Sequence, residues 1–157
     1  MNHQKVLGLV TALSLFVVFG FNMTHNASWQ APCTLGGSIT GADCSTSASL
    51  SGNHASGANY AASSTYTGSN VDDRVRVKVS ATVSVDGSSI GTFSQEKTCF
   101  GCNSLTASVS GNTDVCTDPS DPNTQVTISS THEYQRTTGG GSTITKYDSA
   151  NKTYMCP

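Results

Sequence analysis

Residues 74 to 85 read RVRVKVSATVSV, and polar and apolar side chains alternate through the whole run. Val75, Val77, Val79, Ala81, Val83 and Val85 fall on one side; Arg74, Arg76, Lys78, Ser80, Thr82 and Ser84 fall on the other. Successive side chains of an extended chain point to opposite faces, so a period of two marks a strand with one buried face and one wet face. The dipeptide Asp86-Gly87 follows at once, and Asp-Gly is a favoured two-residue hairpin turn. The return strand is then SSIGTFSQEKT, residues 88 to 98, with Ile90 expected to point inward and Gly91 to mark a bulge.

The same alternation recurs on both sides of this hairpin. TQVTISSTHEYQR (124–136) places Val126, Ile128, Ser130, His132 and Tyr134 on one face, and SLTASVSG (104–111) does so with Leu105, Ala107 and Val109. TITKYDS (143–149), KTYMC (152–156) and NYAASSTYT (59–67) read as further strands. TDPSDPN and TTGGGS are turn compositions between them. No long stretch combines helix formers with a 3.6-residue period. About eight strands at roughly 8–14-residue spacing indicate an all-β chain: a single small antiparallel β-sandwich or barrel-like domain. Residues 33 to 70 hold few large apolar side chains and read as loop-rich, with short edge strands.

From residue 28 onward only 18 of 130 residues are Leu, Ile, Val or Phe, a fraction low enough to threaten folding. Disorder also calls for high net charge, and the whole chain carries 8 basic against 10 acidic residues. A thin core therefore needs help. Six cysteines, Cys33, Cys44, Cys99, Cys102, Cys116 and Cys156, offer it as a disulfide framework whose pairing the sequence leaves open. The charge balance contains no basic patch, which removes the electrostatic basis for nucleic-acid binding.

The N-terminus points to the compartment where disulfides persist. MNHQK is a short charged head, and the uncharged apolar run VLGLVTALSLFVVFGF follows at residues 6 to 21. This is the pattern of a secretory signal peptide spanning 1–27, with cleavage near Gly20 or near Ala27, and a retained anchor is the rival reading. Residues 28–157 would then form the secreted β-rich domain, with no stable membrane span after cleavage. Cys99 and Cys102 have redox or zinc spacing, but they sit between strands and lack a second close pair or a helix N-terminus, so they read as structural.

Few residues suggest chemistry. His54 and His132 are the two histidines that lie in the exported part at either cleavage site, and neither lies in a nucleophile or metalloprotease motif. Asp114, Asp118 and Asp121 form an oxygen-rich loop, a weak calcium candidate, although Asp before Pro is also ordinary turn chemistry. Asn151 begins an Asn-Lys-Thr glycosylation sequon. CSTSASLSGN from Cys44 and CNSLTASVSGN from Cys102 echo each other with one residue inserted, over a length too short for a true repeat. No catalytic or cofactor-binding residue is expected, and no cofactor. The expectation is a non-enzymatic extracellular or cell-surface structural or adhesion protein, able to self-associate through sheet edges. The alternative is a soluble secreted binding module, inhibitor-like or toxin-like. The partner would be a protein or a surface glycan.

Overall fold

The computed structural model describes residues 24–32, 43–53, 55–68, 73–117 and 123–156. They form eight strands: β1 (Thr24–Pro32), β2 (Asp43–Asn53), β3 (Gly57–Thr67), β4 (Arg74–Val85), β5 (Ser88–Phe100), β6 (Ser104–Thr113), β7 (Gln125–Thr137) and β8 (Thr143–Met155). Two four-stranded antiparallel sheets result, ordered β1-β2-β3-β6 and β5-β4-β7-β8. Their apolar faces pack together as a sandwich.

The alternating run at 74–85 becomes β4, an inner strand of the second sheet. Val75, Val77, Val79, Ala81 and Val83 are fully buried, while Val85 at the turn is only partly covered. The Asp86-Gly87 turn has positive φ at both residues (47° and 79°), as a type I′ hairpin requires. Asp86 also fastens the turn to β7: its amide donates to the Gln125 carbonyl (2.9 Å), and its Oδ1 accepts from the Gln125 amide (2.8 Å).

Two expectations need correction. Ile90 points outward and is 49% exposed. The pairing of β4 with β5 shifts between Val83 and Ser84, which face Gly91 and Ser89, so Ile90 is the extra residue of a bulge beside Gly91. The stretch 33–70 is also not loop-rich where it is described: β2 and β3 are eleven-residue strands in continuous register. Ser, Ala and Thr satisfy the alternation there without large side chains, with Cys44, Thr46, Ala48 and Leu50 inward.

Tyrosine compensates for the missing aliphatics. Tyr60, Tyr66, Tyr134 and Tyr154 are buried among five alanines and the valines of β4 and β7. An aromatic ring buries ~150–250 Å², so four of them fill a space that few Leu or Ile occupy. Two glycines make room. A Cβ on Gly111 would overlap the Tyr60 hydroxyl, and one on Gly52 would come within 2.9 Å of the Tyr154 ring. These glycines belong to the two echoing Ser-Gly-Asn segments. The echoing segments do not pair equivalently with β3: Tyr60 faces Leu50 of β2 but Gly111 of β6, an offset of two residues between the matched segments.

Disulfides close the ends. Cys99–Cys102 (Cα atoms 6.1 Å apart) bridges the step from β5 in one sheet to β6 in the other. Cys116–Cys156 (Cα atoms 5.1 Å apart) ties the segment after β6 to the end of β8. Cys44 is disulfide-bonded as well, and Cys33 lies outside the described residues.

Candidate functional site

Alternation on β7 carries His132 into the middle of the sandwich, where it is 1% exposed. Its Nδ1 lies 2.8 Å from Ser64 Oγ on the facing sheet, and its Nε2 lies 2.8 Å from Ser130 Oγ. Ser64 Oγ is also 3.0 Å from the Lys78 carbonyl, and Ser130 Oγ is 3.2 Å from the Ala150 carbonyl. A neutral imidazole donates from one nitrogen and accepts at the other. One serine therefore accepts from the ring and donates to its carbonyl, while the other spends its only proton on the ring. Asp148 stands directly across from His132 in the β7–β8 register. Its Oδ1 accepts from the Ser149 amide (2.8 Å), and its Oδ2 is buried with no hydrogen-bond partner. Burial pushes the His132 pKa down, and the Asp148 carboxylate opposes that shift.

Serine, histidine and aspartate are the ingredients of nucleophilic hydrolysis, but here both hydroxyls are sealed, Ser64 at 0% and Ser130 at 2% exposure. A substrate atom has no route to them in this arrangement, and the cluster acts as a polar bolt between the sheets. Thr46 and Tyr134 form a second bolt beside it: Tyr134 donates to the Ser45 carbonyl (2.7 Å) and accepts from Thr46 (2.8 Å).

The outward faces differ from each other. On the first sheet, β2 presents Ser45, Ser47, Ser49 and Ser51, β3 presents Asn59, Ala61, Ser63 and Thr65, and β6 presents Thr106, Ser108, Ser110 and Asn112. This central field has no charge and is knitted by hydroxyl pairs such as Ser47–Ser63 (2.7 Å) and Thr65–Thr106 (3.0 Å). The second sheet carries the row Glu96–Lys78–Glu133–Tyr147 across all four strands. Arg76, one step along β4, pairs with Glu133 and more loosely with Glu96 (3.5 Å). Lys78, Ser80, Thr131, His132, Glu133 and Tyr147 line a shallow depression of about 250 Å³, below the ~300–1,000 Å³ of ordinary small-molecule pockets.

Among the expected site residues, Asn151 is exposed on the outer face of β8, and its Nδ2 donates to Ser129 Oγ (3.1 Å). Asp114 is exposed in the turn after β6, where its carbonyl accepts from Thr117 Oγ1 (2.7 Å). Asp118, Asp121 and His54 lie outside the described residues, as does the apolar N-terminal run. No three His, Cys, Asp or Glu come together as a metal site among the described residues. Among them, too, no helix is long and apolar enough to cross a membrane.

No protein-family model matches the chain, and no curated protein matches it.

Sequence reasoning placed Arg76 and Lys78 on a wet face and His132 on a buried one. It missed Ser64, Asp148, Glu133 and Tyr147 as their partners. Within each strand alternation assigns the face, but which residues share a row depends on register, and register emerges only when the strands pair.

Proposed function

We propose that this is a non-enzymatic extracellular protein that works at or near the cell surface, in adhesion, coat structure or filament assembly. One observation carries the reading: the central outer field of the first sheet across β2, β3 and β6, made of Ser, Thr, Ala and Asn without a charge. Such a field exchanges hydrogen bonds with water for hydrogen bonds with a hydroxyl-rich polymer at little desolvation cost, because no ion is buried. The disulfides support a place outside the reducing cytosol. The burial of Ser64, Ser130 and His132 supports a role without catalysis.

The test is co-sedimentation of the purified protein with insoluble cellulose and chitin, and with intact cells of the producing organism, alongside sedimentation analysis over a wide concentration range. Retention on a polymer or cell surface, or concentration-dependent assembly, is the expected result. A protein that stays in the supernatant and remains monomeric at high concentration overturns the reading.

The second reading, a soluble secreted binding module, draws on Phe100. This ring is 72% exposed on the turn closed by Cys99–Cys102, and a rigid exposed aromatic is the usual anchor of a protein interface. Recovery of one stoichiometric protein partner by affinity capture would favour it.

A further inference from the structure

We propose that β5 pairs edge to edge with β5 of a second copy of this chain, antiparallel, with Gln95 facing Gln95. The inference rests on the assembly part of the reading above and names the strand, the partner and the register.

β5 is an edge strand, hydrogen-bonded to β4 alone within the second sheet. An edge leaves a row of backbone N–H and C=O groups open to another strand. Five large apolar side chains are exposed among the described residues; Ile90 (49%), Phe93 (38%) and Phe100 (72%) belong to β5, and Tyr147 (72%) and Met155 (49%) to the opposite edge strand β8. The backbone around Phe100 is held by the Cys99–Cys102 bridge, by Gly101 at a φ of 63°, and by the Gly101 amide donating to the Asp73 carbonyl (2.9 Å). A backbone already ordered around an exposed ring reduces the entropy lost on association. The Gln95 side chain, which would sit at the centre, is turned away to accept from the Ser108 amide of β6 (2.8 Å).

Symmetry and charge select the register. Thr92, Ser94, Glu96, Thr98 and Phe100 lie on the outer face, opposite Thr82, Ser80, Lys78, Arg76 and Arg74 of β4. A two-fold axis normal to the sheet matches outer residues with outer residues, so even numbers pair with even and odd with odd. Centring on Glu96 sets two carboxylates face to face, and centring on Lys97 does the same with two ammonium groups; like charges directly opposite are unfavourable. Centring on Ser94 leaves Phe100 opposite Ser88 and Ile90 opposite Thr98, so the exposed apolar groups go unmatched. Centring on Gln95 brings Ile90 against Phe100 of the second copy at both ends. It also sets Lys97 opposite Phe93, whose ring stacks on Tyr60 (centroids 5.2 Å apart), and Ser94 against Glu96. The Ile90 bulge falls at the end of the paired stretch and leaves Gly91 to Cys99 regular.

The test is sedimentation velocity on the full mature chain and on two variants at Ser94, an exposed position. Ser94→Lys creates two Lys–Glu pairs across the dimer, and Ser94→Glu creates two Glu–Glu pairs. The expected result is a wild-type dimer that Ser94→Lys tightens and Ser94→Glu loosens, each about five-fold from cross-strand pair energies. Phe100→Ser, which leaves Ser94 untouched, should also loosen the dimer. If both Ser94 variants weaken association, or neither alters it, the protein assembles by another register or surface and the inference falls. A wild type that remains monomeric overturns it too, while retention of that monomer on a cell or polymer surface would leave the functional reading standing.

Discussion

Ser64 Oγ on β3 and His132 Nδ1 on β7 lie 2.8 Å apart, and this contact joins the two sheets at the centre of the core. Leucine or valine would fill such a site in a richer sequence. Here the core is mostly alanine, valine and tyrosine, and a hydrogen-bonded imidazole supplies volume with both ring nitrogens partnered. Ser64→Ala removes the Nδ1 partner and leaves that nitrogen buried and unsatisfied, which costs ~1–3 kcal/mol. His132→Leu removes the demand as well as the donor. The double variant Ser64→Ala/His132→Leu should therefore lose less than the sum of the two single losses, as read from urea unfolding midpoints.

The pH dependence of stability has a definite sign at this ring. Burial lowers the His132 pKa below its ordinary 6.5, so between the two values the unfolded chain binds the proton that the folded chain refuses. Stability then rises with pH across that window. The contribution is complete above about pH 6.5 and drains away as pH falls from there toward the folded-state value. Unfolding midpoints measured from pH 8 down to pH 5 should decline for the wild type. His132→Gln, polar and without a titrating proton, should flatten the decline; an unchanged slope would assign it to other groups.

Two ion pairs of similar composition should differ sharply in consequence. Arg136 Nε donates to Asp73 Oδ2 with both side chains nearly buried, at the end of the core where β4 begins. Arg76 donates to Glu133 on the outer face, where both remain partly wet. Asp73→Ala removes a carboxylate held by the nearly buried Arg136 and should cost ~1.5–3 kcal/mol, the range of a hydrogen bond between charged groups. Glu133→Ala should cost less than ~1 kcal/mol. Equilibrium unfolding of the two variants side by side gives the comparison directly.

The legibility of the fold follows the strength of its local signals. β4 could be read whole because its valines alternate with charged residues, and the Asp86-Gly87 turn named its own geometry. β2 could not, because Ser against Ala is a weak contrast in polarity even though the alternation is present, and β3 was legible only over 59–67, where two tyrosines strengthen it. Ile90 defeated a simple reading because a bulge reverses the phase of a strand at one residue, and nothing in the side chain itself announces that. The candidate surfaces were less visible still. The uncharged field on the first sheet is assembled from three strands far apart in sequence, and the row from Glu96 to Tyr147 from four. Their residue types are ordinary, and only register makes them neighbours.

The two described disulfides should contribute unequally, and their loop lengths say by how much. Cross-linking lowers the entropy of the unfolded chain more for a longer closed loop. Cys116 and Cys156 are 40 residues apart, and Cys99 and Cys102 only 3. The chain-entropy relation gives about 4 kcal/mol for the long loop and about 2 kcal/mol for the short one. Cys116→Ala/Cys156→Ala should therefore lower the unfolding midpoint considerably more than Cys99→Ala/Cys102→Ala. The short bridge should show its effect elsewhere: without it, Phe100 loses the closed turn that presents it, and association through β5 should weaken while the monomer stays folded. Equal loss of stability from both pairs would mean that the bridge at Cys99 supports the β5–β6 crossing itself, and that Phe100 is exposed as a by-product of the turn.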